Sequence, residues 1–194
     1  MEDIYETKLS YPGTKRYYKN GKLNREDGPA IEHKDGRKEW FRDGLLHRED
    51  GPAIEHIDGS GEWFINDKRH REDGPAMVDY NGSTYWYKNG LLHREDGPAL
   101  IENDGSYHWL IKGQYHRVGG PAWKLANGSE FWLINGKLHR EDGPALSCDD
   151  GTIEWFINGI SITDDVNNWI KTHNLPEYKE WTNKEMAVFK LKFT

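Results

Sequence analysis

Five histidines, His47, His70, His93, His116 and His139, stand 23 residues apart, and each is followed by an arginine. Four of them run on into GluAsp, which sets Asp50, Asp73, Asp96 and Asp142 three residues after an imidazole. Imidazole beside carboxylate is the pairing that acid–base catalysis uses, and ladders of carboxylates hold calcium in some solenoids. Rows of Arg and His could also take an anionic nucleotide. Repetition argues against catalysis, because an active site is one asymmetric constellation in one pocket. An Arg of one unit can instead pair with an Asp or Glu of its neighbour, and an Asp before Gly can accept turn N–H bonds. These rows are therefore expected to be structural ladders, with no catalytic residue, no cofactor and no metal.

The elements that carry these rows follow from the same period. HisArgGluAspGlyProAla occupies residues 47–53, 70–76, 93–99 and 139–145, with altered copies at 24–30 and 116–122 and no insertion between them. Trp40, Trp63, Trp86, Trp109, Trp132 and Trp155 keep the same step, and Tyr17 fills the preceding slot. Eighteen of the 21 glycines fall on three positions of the repeat, nearly all after Asn or Asp. AsnGly and AspGly favour the two positive-φ residues of a type I′ hairpin turn. Between the turns lie short β-forming runs such as 37–42 and 61–65, with 52–57 and 98–103 as companions. Chain reversal by two-residue turns predicts an antiparallel meander.

The fold class expected is mainly β, an elongated antiparallel β-hairpin repeat array with a short α-containing C-terminal cap. Alternation along a strand puts the Trp row on one face, with Ile65, Ile111, Ile134 and Ile157, and Phe41, Phe64, Tyr87, Leu110, Leu133 and Phe156 on the other. The Trp row is expected to be core, since one unit alone buries too little and stacking makes the aromatic ladders continuous. Residues 1–19 read as an N-terminal cap and partial repeat, 20–162 as six repeats, and 163–194 as a helical cap and terminal strand. ThrAspAsp at 163–165 marks a helix start with carboxylates in its first turn. Val166, Trp169 and Ile170 give that helix an apolar face, which ends before Pro176. Alternation of Ala187, Phe189, Leu191 and Phe193 reads as the strand, and Trp169, Trp181, Met186 and Phe189 as capping residues, with docking of another chain as the alternative.

Composition excludes several classes of function. Leu, Ile, Val and Phe make up only 37 of 194 residues, but nine Trp and ten Tyr restore burial capacity, and a net charge of −7 is modest. An acidic balance disfavours general nucleic-acid and lipid binding. Cys148 is the only cysteine, so an internal disulfide framework is excluded and a reducing cytosol is expected. Neither a membrane span nor an apolar leader is read.

The 23-residue unit, with its aromatic–AsnGly turn and second glycine, is similar to MORN repeats. HisArgGluAspGlyProAla followed by AspGly and GluTrpPhe-x-AsnGly more specifically resembles the MORN-like repeat proteins of tailed bacteriophages and large DNA viruses, over residues 15–162. That resemblance implies a β-hairpin array, a viral origin, a host-cytoplasmic location and use as an interaction scaffold, with no particular chemistry. Departures from it are Asn24 in place of His, and Val118 and Gly119 in place of GluAsp.

What every unit shares makes the fold, and what one unit changes is free to make function. Tyr107, His108, Gln114, Tyr115, Val118 and Trp123 gain aromatic character and lose two carboxylates relative to other units. Interfaces favour Tyr and Trp and deplete Glu and Asp, so this stretch is the candidate partner-binding surface, with drift as the alternative. The function expected is non-catalytic binding of a host or phage protein, including a host defence factor inhibited by occlusion. The alternatives are a binder that sequesters a small anionic ligand such as a nucleotide, and a virion or assembly component.

Overall fold

A computed structural model describes residues 6–9 and 13–194, with side chains described from Gly13 onward. The predicted N-terminal cap therefore lies partly outside the described residues. Two compact units divide the chain, Met1–Arg94 and Glu95–Thr194. Both are built of antiparallel hairpins, and the described residues form no closed barrel.

In the first unit, Glu6–Leu9 pairs with Lys15–Lys19, and the sheet continues through Ile31–Glu32, Lys38–Glu39, Ile54–Glu55 and Gly61–Glu62. Short hairpins stand apart from it, among them Phe41–Arg42 with Leu45–Leu46 and Phe64–Ile65 with Lys68–Arg69. The second unit repeats the scheme through Leu100–Ile101, Tyr107–His108, Trp123–Lys124, Glu130–Phe131, Leu146–Ser147 and Ile153–Glu154. Among the described residues the repeats thus contribute one hairpin each to one of two sheets and, after Lys22–Leu23, one that pairs outside them.

The expected single strand over 37–42 is broken at its tryptophan. Trp40 donates its N–H to the Ala53 carbonyl (2.8 Å), and its own carbonyl accepts from the His47 N–H (3.0 Å). Trp63, Trp109 and Trp132 make the same two bonds. At this residue the chain stops pairing along the sheet and folds back on itself, so the Trp and Phe rows are not opposite faces of one strand.

The turns are also of two kinds. Asn20–Gly21, Asp43–Gly44, Asn89–Gly90, Lys112–Gly113, Asn135–Gly136 and Asn158–Gly159 have positive φ at both residues, as a two-residue type I′ turn requires. The other AspGly and AsnGly pairs do not. In the turn over residues 33–37, Gly36 alone has positive φ (100°), its N–H returns to the His33 carbonyl, and the His33 N–H reaches the Arg37 carbonyl. This is a three-residue loop, a type I turn closed by a left-handed glycine. Asp35 fixes it by accepting the Arg37 N–H at 3.0 Å, and Asp58, Asn81, Asp104, Asn127 and Asp150 do the same in their turns.

Along the repeats the core is a line of alanines joined by Ile31, Ile54, Phe64 and Leu110, and not a ladder of tryptophans. Ala30, Ala53, Ala76, Ala99, Ala122 and Ala145 are fully buried, whereas every Trp of the row except Trp155 is half-buried. Large side chains are concentrated in the C-terminal cap. There Trp155, Val166, Trp169 and Phe189 are buried together, covered by Tyr178, Trp181 and Phe193 among others. The first cap helix, α1 (Thr163–Thr172), begins and ends where the sequence indicates.

The terminal strand is a second helix, α2 (Asn183–Phe193). Thr182 caps it, accepting the Lys184 N–H, and Glu185 accepts from Thr182 in return, a capping box whose contribution outweighs the local alternation. Met186, Phe189 and Phe193 fall on one helical face toward the tryptophans, and Leu191 points to solvent at 90% exposure. A strand would have put 189, 191 and 193 on one face. Phe189→Ala should therefore lower stability by about 3–5 kcal/mol, and Leu191→Ser by less than about 0.5 kcal/mol, both read from urea unfolding. Equal losses would contradict the helical register.

Candidate functional site

The HisArgGluAspGlyProAla row is assembled where a free-standing hairpin returns to the sheet. Arg48 shows what the motif does. Its guanidinium lies over the Trp40 ring at 4.1 Å from the centroid. Its Nε donates to Asp50 (3.0 Å), and Nη1 donates to the Pro52 carbonyl (3.2 Å) and to Glu55 (2.8 Å). Arg25 repeats this over Tyr17, with Asp27, Pro29 and Glu32 as its acceptors. Arg71, Arg94, Arg117 and Arg140 lie over Trp63, Trp86, Trp109 and Trp132 at 3.7–4.3 Å.

The glycine three residues on is required by this arrangement and not by φ. A Cβ on Gly51 would come within 2.6 Å of the Arg48 guanidinium carbon, and on Gly120 or Gly143 within 2.7 Å of its counterpart. The histidines are equally occupied. His47 Nδ1 faces the Asn66 side-chain oxygen at 2.8 Å and accepts the Asn66 N–H, and His70 and His116 bond Asn89 and Asn135 in the same way. Each links one free-standing hairpin to the turn of the next. Among the described residues no three His, Cys, Asp or Glu side chains converge as a metal's ligands would.

The carboxylates carry the electrostatic signature of this pairing. Hydrogen bonds from Arg25, Arg48 and Arg71 hold Asp27, Asp50 and Asp73 below the usual carboxylate range. His47 with Arg42 does so for Glu49, and Lys88 for Glu72.

The six residues of the 107–123 stretch fall in different surroundings. His108 is buried, with Nε2 at 2.6 Å from Glu102 and Nδ1 at 3.0 Å from the Tyr115 hydroxyl. It stacks on Trp123, which stacks in turn on Phe131 at 4.3 Å, and Tyr115 lies 5.9 Å from both His108 and Trp123. Burial and the Glu102 charge raise the Tyr115 pKa. The Trp123 indole N–H is buried without a partner. Tyr107 sits apart near Arg117, with its hydroxyl 3.5 Å from Nη1. Gln114 is exposed on its hairpin, and Val118 is 81% exposed. Sequence reasoning missed Glu102, which bonds His108, and Phe131, which extends the stack.

It also missed Ile57 and Tyr80, exposed by 68% and 98% at the tips of two turns. The signal was present, since Lys34, Asn103, Ala126 and Asp149 hold the same place elsewhere. Compared with known protein families and with curated proteins, the chain matches none. Among the described residues no helix is long and apolar enough to cross a membrane.

Two outcomes follow from the arginine clamp. Gly51→Ala should cost about 1–3 kcal/mol in urea unfolding by displacing the pinned guanidinium, and that cost should vanish in an Arg48→Ala background. An unchanged cost there would mean that the glycine serves some other purpose. The depressed carboxylates make the native state bind fewer protons than the unfolded chain. Their contribution is complete above the ordinary carboxylate pKa of about 4 and is lost as pH falls below it. Unfolding midpoints should hold from neutrality to about pH 5 and decline below about pH 4. The triple variant Asp27→Asn, Asp50→Asn, Asp73→Asn should start lower and decline less steeply.

Proposed function

We propose that the chain is a non-catalytic module that binds another protein. The observation that carries this is how its polar groups are used. The His, Arg and Asp side chains of the repeat motif are engaged with rings, carbonyls and turns of the array, while departures from the repeat bring apolar groups such as Ile57, Tyr80 and Val118 to the surface. Exposed aromatic and aliphatic groups without nearby catalytic machinery are interface chemistry. The resemblance to MORN-like phage proteins extends the proposal to a host factor, a defence component included, whose working surface the module would occlude.

Sequestration of a small anion is less favoured, because the arginines that would bind it already face carboxylates and carbonyls. Capture from lysate of a bacterial host by the intact tagged chain, analysed for proteins and for extracted small molecules, separates the two readings. A stoichiometric protein is expected. A retained nucleotide with no protein would overturn the proposal in favour of sequestration.

A further inference from the structure

The departures at Ile57 and Tyr80, together with Val78, border one groove in the Met1–Arg94 unit. Its volume is about 590 Å³, and Asp35, Asp58 and Asp79 line it beside them. We propose that this groove docks a short peptide segment of a partner protein that carries an aliphatic or aromatic side chain next to lysine or arginine. The inference rests on the protein-binding reading above and specifies the partner's chemistry.

The apolar half of the argument is exposure without internal compensation. Ile57, Val78 and Tyr80 are exposed by 68%, 40% and 98%. Glu32, Glu55, Ile101, Lys124 and Ser147 stand at the place of Val78 in other repeats, so an aliphatic residue recurs there once, whereas Lys34, Asn103, Ala126 and Asp149 stand at that of Ile57 and Tyr80. Neither solubility nor the turn geometry calls for an isoleucine and a tyrosine at successive turn tips. A groove of this size is within the range of binding pockets, and tyrosine is one of the residue types that anchor interfaces.

The charged half follows from which carboxylates are already neutralised. Asp35 accepts the Arg37 N–H, Asp58 accepts from the Ser60 N–H and hydroxyl, and Asp79 accepts from the Asn81 and Ser83 N–H groups and the Tyr85 hydroxyl. All these donors are neutral, so the carboxylates keep their charge. Of the other charged or titratable groups lining the groove, Arg37 pairs with Glu39 at 3.0 Å, and His56 lies 3.3 Å from Glu62, a further carboxylate of the lining. An apolar patch rimmed by three such carboxylates attracts a basic partner and repels phosphate-bearing nucleic acid and anionic lipid. A second copy of this chain, at net charge −7, is repelled as well.

Selection of a random 12-residue displayed peptide library on the intact immobilised chain tests the proposal. Enriched peptides should combine Lys or Arg with an aliphatic or aromatic residue. Their synthetic versions should bind the Ile57→Ser, Tyr80→Ser double variant at least about tenfold more weakly. Asp58→Asn with Asp79→Asn, which keeps an acceptor oxygen at each site, should weaken binding and flatten its salt dependence. Acidic peptides, or peptides that bind the double variant equally well, would overturn the groove. If those peptides were lost instead on Tyr115→Ala with Trp123→Ala, protein binding would stand and only its location would change. A concentration-dependent dimer abolished by the double variant would replace the peptide with a second copy. No enrichment would also overturn the groove, and the protein-binding reading would fall with it only if lysate capture returned no protein.

Discussion

The array depends on one contact, an arginine guanidinium set against an aromatic face while its Nε and Nη1 donate to nearby acceptors. Six arginines take this position, over Tyr17 and five tryptophans. The contact accounts for most of the motif. Asp receives Nε and the proline carbonyl receives Nη1. The glycine lets backbone come close to the guanidinium, and the alanine after proline has no accessible surface at all. Lysine could not replace the arginine, because an ammonium lacks the planar fork that stacks and bonds at once. A cation over an aromatic ring contributes about 0.5–2 kcal/mol. One copy is therefore weak, and stability comes from the series. Where the series ends, Thr163 stands in the arginine's place and the Trp181 ring stacks on Trp155 at 5.5 Å.

Much of this frame is legible in the amino-acid sequence. The period, the antiparallel hairpins and the first cap helix are all visible from residue spacing. The two turn types are not, because AspGly at 35–36 and at 43–44 is the same dipeptide. What separates them is register, since only the 43–44 pair joins strands with two residues to spare. The three glycine rows likewise look alike while meeting three different needs: a type I′ turn, a type I turn with a left-handed end, and room for a guanidinium. The last eleven helical residues were obscured by an accidental alternation, although Thr182 and Glu185 spelled out the cap.

The candidate surface was legible only in part, for a reason that lies in how repeats tolerate change. Across the sheet hairpins one pair of positions carries His33 with Glu39, His56 with Glu62, Asp79 with Tyr85, and Glu102 with His108. From Asp79 onward the acid stands at the first position and its partner at the second, yet the hydrogen bond survives. Tyr115, in place of leucine, then completes the bonding of His108, and Trp123 and Phe131 fill the remaining space by stacking. Much of what makes residues 107–123 look exceptional is therefore one local repacking whose members satisfy one another.

This distinction gives a way to find function in a repeat array. A departure matched by a change at its structural neighbour has been absorbed by the fold, as His108 has been by Glu102. A departure with no matching change and left exposed is one that the fold has not absorbed. Ile57 and Tyr80 are of this second kind, since each projects from a turn whose geometry Gly59 or Gly82 and the preceding Asp or Asn already secure. Val118 is of the same kind, because it removes a carboxylate at the place where Glu49 and Glu72 bond the histidine of their repeats. These three side chains stay exposed, which is why the proposed protein-binding reading turns on them.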